Sequence, residues 1–212
     1  LELALACDFR VVAEDATEAM PVRSGLPFSA SALAMRLQGE FNKPVLAHAG
    51  FGLAGSYNIA QRAVDMASLP LQALQEALWP KLYAQANPLP QLRRTGAALL
   101  LMALAMGALV WLAAPLLPLL VGNAHEDAVR VLRMLAWLPL LQVGRSLLNF
   151  HAIHHGHMQH ISWAYILGGG VSVCVVAALV PAHGMAGAVI ASYIAETTMS
   201  LALLGFAMRA SR

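Results

Sequence analysis

Residues 161–180 read ISWAYILGGGVSVCVVAALV, and residues 185–208 read MAGAVIASYIAETTMSLALLGFAM. The first run holds no charged residue in twenty positions, and the second holds one, Glu196. About 20 consecutive apolar residues in a helix cross the hydrocarbon layer of a bilayer. Two such runs separated only by Pro181–Gly184 therefore predict a helical hairpin through a membrane. The rest of the chain repeats the theme. Of its 212 residues 59% are hydrophobic and 11% are charged, where a soluble domain carries about 25% charged residues. The composition excludes an ordinary soluble domain.

Working outward, residues 96–120 form a third long apolar run, and 131–150 a fourth that contains Arg145. Residues 26–49 and 55–82 are long enough to cross but carry several polar side chains. Pro44, Pro70, Pro115 and Pro139 fall in or beside these segments. Membrane helices tolerate proline, because neighbouring groups satisfy the freed carbonyls. The expectation is an all-α integral membrane protein with a six-helix transmembrane bundle at 23–212, preceded at 1–22 by a cytoplasmic linker or a foreign segment.

Loop charges assign a direction. Lys81, Arg93 and Arg94 mark the loop at 81–95 as cytoplasmic under the positive-inside rule. The loop at 121–128 holds Glu126 and Asp127 and no Lys or Arg, which reads as outside. Residues 51–56 and 181–184 carry no Lys, Arg, Asp or Glu and also read as outside, and Arg209 and Arg212 end the chain inside. Arg130 and Arg133, at the outer end of the fourth span, run against the scheme unless they reach the headgroups.

Charges at bilayer depth cost several kcal/mol and face a cavity or a partner. Arg36, Glu40 and Lys43 are spaced by four and three, on one face of the first helix, with Gln38 and Asn42 beside them. Arg62 and Asp65 lie three apart in the second span, and Gln142, Arg145 and Asn149 form one stripe of the fourth. Arg36, Lys43, Arg62 and Arg145 outnumber Glu40, Asp65 and Glu196 by one. Such a lining suits an anionic group such as a phosphate. The alternative is internal ion pairing, Arg36 with Glu40 and Arg62 with Asp65, that only fixes helix packing. Gly168–Gly170, Gly184 and Gly187 suit close helix approach and lack the strand that a phosphate loop requires.

Other chemistry is thin. His151, His154, His155, His157 and His160 give H-x-x-H-H-x-H-x-x-H, and the H-x-x-H-H part resembles one histidine box of membrane di-iron desaturases. That family builds its site from several boxes and only one is present, so the histidines read as a polar loop touching headgroups. Cys7 and Cys174 are too few and too far apart for a disulfide framework or a zinc site. A net charge of +2 without a basic, aromatic-rich run gives no footprint for nucleic acid. No metal, cofactor or enzymatic activity is expected.

Three stretches carry a family resemblance: SGLPFSASALAMRLQGEFNKPVLAHAG (24–50), GSYNIAQRAVDMASLPLQALQEALWPKLYA (55–84) and LVPAHGMAGAVIASYIAE (179–196). In order and spacing they resemble the C-terminal half of an oligosaccharide flippase, a polysaccharide-biosynthesis membrane protein of the multidrug/oligosaccharidyl-lipid/polysaccharide exporter superfamily. The resemblance implies half of a twelve-helix, two-bundle transporter that works by alternating access. It implies a polyprenyl diphosphate-linked oligosaccharide as substrate, turned across the inner membrane, and a missing N-terminal six-helix bundle as partner. Arg36, Glu40, Asn42, Lys43, Arg62, Asp65 and Arg145 are the candidate substrate-binding residues, with the cations facing the diphosphate. A cation-coupled multidrug exporter of the same superfamily is the first alternative, and a His-box membrane metalloenzyme the second. The opening stretch LELALACDFRVVAEDA (1–16) instead resembles a crotonase segment, without its oxyanion glycines or catalytic glutamate. With no starting Met and no signal peptide, the chain reads as a fragment.

Overall fold

A computed structural model describes residues 22–85, 89–121, 126–154 and 158–210. The crotonase-like opening, His125, His155 and His157 lie outside the described residues. The described chain is all helical: α1 (Val22–Glu40), α2 (Asn42–Ala49), α3 (Phe51–Tyr83), α4 (Leu89–Ala113), a 3₁₀ turn (Ala114–Leu116), α5 (Leu117–Val121), α6 (Glu126–Leu135), α7 (Leu138–His154) and α8 (Met158–Ala210). Three helical stretches are long and apolar enough to cross a membrane: Pro90–Leu119, Asp127–His154 and Gln159–Phe206. The first two expected spans are helical but more polar, and composition alone does not place them in that group.

Prolines set the breaks. A proline ring clashes with the carbonyl four residues earlier and supplies no N–H. Pro44 follows Glu40 by four, and α1 ends at Glu40. Pro139 follows Leu135 by four, and α6 ends at Leu135. The expected fourth span is therefore not one continuous helix but two, joined at Ala136–Trp137. Tyr193 donates its hydroxyl to the Met134 carbonyl at 2.6 Å, which satisfies a group released by that break. The expected loop at 51–56 shrinks to Gly50, because α3 starts at Phe51.

Helix α8 is two limbs folded on each other. Gly184 has φ 56° and ψ −130°, a conformation open to glycine and costly for residues with a Cβ. The His160 and Phe206 rings lie 4.8 Å apart, where 46 residues of straight helix would separate them by about 69 Å. The reversal falls inside the expected loop at 181–184. Glycines bring the limbs and their neighbours close. A Cβ on Gly187 would lie 2.4 Å from the Leu179 carbonyl oxygen, and one on Gly169 would lie 2.8 Å from the Ala34 Cβ.

Two apolar clusters hold the bundle. Leu46, Tyr57, Val64, Leu135, Val176 and Val189 join α2, α3, α6 and both limbs of α8. Leu71, Leu99, Ala103 and Val143 join α3, α4 and α7. The outer surface is also apolar, with Leu101, Leu109, Leu112, Trp163 and Leu201 exposed and Leu119 82% exposed. Lipid tails cover such exposed apolar side chains at no cost, whereas large exposed apolar areas are rare on water-facing monomers.

Close packing at glycine gives a prediction. Gly187→Ala and Gly169→Ala push a methyl group into backbone or Cβ atoms, and each costs about 1–3 kcal/mol. Gly170→Ala meets nothing within 4 Å. Thermal unfolding in detergent should show a lowered midpoint for the first two variants and an unchanged one for the third.

Candidate functional site

Polar side chains inside the bundle converge on one cavity of about 200 Å³. They come from short stripes in otherwise apolar helices: Gln38 and Asn42 on α1 and α2, Tyr57, Gln61 and Asp65 on α3, Gln142 and Arg145 on α7, and Ser192 and Glu196 on the second limb of α8. Tyr57, Gln61 and Asp65 on α3, and Ser192 and Glu196 on α8, are four residues apart, so each set stacks on one helix face. Tyr165 on the first limb completes the polar wall.

The centre is an ion pair. Arg145 Nε donates to Glu196 Oε2 at 2.7 Å, and the two side chains are 15% and 5% exposed. A second guanidinium nitrogen donates to the Tyr165 hydroxyl at 2.6 Å, and Arg145 also lies 5.3 Å from the centre of the Tyr165 ring. Asn149 donates to the same hydroxyl at 2.5 Å, and Gln38 donates to Glu196 Oε1 at 3.4 Å. These bonds tie α1, α7 and both limbs of α8 at one level.

A second network lies one turn away. Asn42 Nδ2 donates to the Tyr57 hydroxyl at 3.0 Å and to Ser192 Oγ at 3.2 Å. Ser192 donates to the Ala188 carbonyl at 3.1 Å, which leaves its oxygen to accept from Tyr57 at 3.4 Å. Asn42 Oδ1 and Gln61 Oε1 are buried and accept no hydrogen bond. Buried acceptors are normally matched, so this wall offers two open acceptor positions beside two carboxylates, Asp65 and Glu196.

The structure divides the seven expected residues into two groups. Asn42, Asp65 and Arg145 line the cavity. Arg36, Glu40, Lys43 and Arg62 each follow a lining residue by one position, which turns them about 100° away onto the flank. Arg36 and Arg62 are exposed there, and Lys43 pairs with Glu40 at 2.6 Å. Asp65 lies within electrostatic reach of Arg62, Lys43 and Glu40. The cationic excess expected of the whole set therefore sits at the rim, and the cavity itself holds two carboxylates to one guanidinium.

Sequence reasoning that followed formal charge passed over Tyr57, Gln61, Tyr165 and Ser192. The recurrence of polar residues four apart in apolar helices was the signal for most of them. Among the described residues no group of three or more His, Cys, Asp or Glu could hold a metal ion. His151 and His154 lie on the last turn of α7, away from the cavity. Comparison with protein-family models, curated proteins and solved structures returned no match to this chain.

Removing one partner of a buried pair strands the other charge, at about 3–5 kcal/mol. Glu196→Leu or Arg145→Leu alone should lower the unfolding midpoint markedly in detergent. The double variant should recover most of that loss, because neither charge is then left unmatched. A double variant as unstable as the sum of the singles would exclude the pairing.

Proposed function

We propose that this chain is one six-helix bundle of a two-bundle membrane transporter, acting in the inner (plasma) membrane as a flippase of polyprenyl diphosphate-linked oligosaccharide for cell-surface polysaccharide. The observation that carries this reading is the charged flank. Arg36, Glu40 and Lys43 gather around the junction of α1 and α2, and Arg62 in the middle of α3, beside a polar cavity lined by Asp65, while α4 exposes Leu101, Leu104, Leu109 and Leu112. Charges at that depth do not face lipid. They face water, substrate or a second bundle, and a water-filled passage between two bundles answers all three.

The chemistry of the flank fits an anionic headgroup. Arg36 and Arg62 are exposed guanidinium groups able to grip phosphate oxygens in a bidentate manner. Lys43 adds a mobile point charge that can exchange Glu40 for a diphosphate oxygen. Arg145 is already held by Glu196 and Tyr165, so its role is to fix the cavity wall against which the rim cations work. Rocking of this bundle against its partner would present the site to one leaflet and then to the other.

A second reading, cation-coupled multidrug export, is favoured by one observation: the cavity lining has more carboxylates than cations and two unmatched carbonyl oxygens. Oxygen-rich, acid-rich walls bind small cations.

The readings part in cells. In a strain without its own oligosaccharide flippase, the transporter containing this bundle should restore surface polysaccharide. The triple variant Arg36→Gln/Lys43→Gln/Arg62→Gln should lower that restoration by about tenfold or more, with membrane content unchanged. Undiminished restoration by the triple variant removes the diphosphate role from these cations. Gradient-driven efflux of a cationic dye that Asp65→Asn abolishes, without any polysaccharide phenotype, would establish the second reading instead.

A further inference from the structure

A second cavity lies on another face of α7. Gln142, Arg145 and Asn149 mark the polar side of that helix, and Leu141, Gly144 and Leu148 mark the apolar side that adjoins it, centred about 100° round the helix. Here α4 and α7 run side by side, with the Gly96 backbone against Leu147 and Gly107 against Trp137. Between them is a groove of about 750 Å³ with an almost wholly alkyl lining, closed on a third side by Ser200. Gly144 deepens its middle, since a Cβ there would meet nothing within 4 Å.

A polar pocket lies further toward the start of α4. Pro90, Gln91, Arg94 and Thr95 enclose a separate space of about 500 Å³ at the start of α4. Arg94, Ala97, Leu101 and Leu104 are spaced by three, four and three, so they share one helix face. From Arg94 to Leu104 the helix rises about 15 Å, which takes the stripe from the level of a headgroup into the hydrocarbon layer.

We propose that this composite surface binds one anionic phospholipid, with its phosphate at Arg94 and an acyl chain in the α4–α7 groove. Charge complementarity selects the headgroup. Arg93 and Arg94 are adjacent and exposed, and the chain carries no Asp or Glu between Glu76 and Glu126. Depth selects a lipid over a free anion. Phe150 stacks on Tyr83 at 4.5 Å and on Trp79 at 5.3 Å, one turn beyond the Leu147 that meets Gly96. Tyr and Trp gather at the headgroup level of membrane proteins, and this stack puts the start of α4 at that level. The alkyl groove then begins where acyl chains begin. The site depends on the bundle lying in a bilayer and not on what the bundle transports.

Native mass spectrometry of the detergent-purified full chain, with phosphatidylglycerol and phosphatidylcholine of the same acyl chains added in equal amount, tests the site. The wild type should retain phosphatidylglycerol over phosphatidylcholine by about fivefold or more. Arg93→Gln/Arg94→Gln should bring the two to parity, and Gly144→Leu should lower retention of both. Ser200→Leu narrows the same groove from its third wall and should repeat that loss if Gly144→Leu is poorly folded. Equal retention of the two lipids by the wild type, or a preference that survives the double glutamine change, overturns the headgroup assignment. Undiminished retention in both groove variants overturns the acyl-chain assignment. Failure of the polysaccharide assay leaves all of these outcomes untouched.

Discussion

Arg145 and Glu196 can stay charged inside this bundle because each supplies what the other has lost with water. That exchange constrains the fold around it. The guanidinium must sit on α7 where both limbs of α8 reach it, and the carboxylate must sit on the limb that returns after Gly184. Gln38 extends the contact to α1, and Asn149 shares the tyrosine that supports the arginine. Close limbs are a condition of this geometry, and glycine provides them: Gly168 lies against Met199, and Gly187 against the Leu179 backbone. The ion pair and the glycine contacts are two parts of one packing solution.

The same need for satisfied polar groups explains the outer architecture. Proline breaks are placed where a side chain or a tight turn can take the freed carbonyl, as Tyr193 does at Met134. Large apolar residues are turned outward on several helices, and Arg36, Glu40, Lys43 and Arg62 cluster on one flank beside the cavity. A bundle built this way has a lipid side and a polar side. The polar side carries exposed cations at the rim, an acid-rich pocket behind them and unmatched acceptors in its wall.

Much of this was legible in the sequence. The apolar runs at 96–120, 161–180 and 185–208 announce their helices by length alone, and Pro181–Gly184 announces the reversal. The break within 131–150 was less visible, because a proline in a membrane helix can bend it or end it, depending on what neighbouring groups satisfy. The pairing of Arg145 with Glu196 spans 51 residues, and no local spacing rule connects them. Charge counting also merged two places that one residue step separates. Arg36 and Arg62 lie next to Met35 and Gln61 in sequence, yet the helix turns them from the cavity to its rim. Tyr57, Tyr165 and Ser192 escaped because neutral polar residues carry little of the cost that makes a buried charge conspicuous.

The central claim is that the polar cavity side bearing Asp65 meets water while the face bearing Leu101 meets lipid. Single-cysteine labelling with a membrane-impermeant thiol reagent in intact membranes measures this directly, in a background with Cys7 and Cys174 replaced by serine. Asp65→Cys should react, and Leu101→Cys should remain unlabelled until the membrane is dissolved in detergent. Labelling of Leu101→Cys in intact membranes, or protection of Asp65→Cys there, would contradict the account.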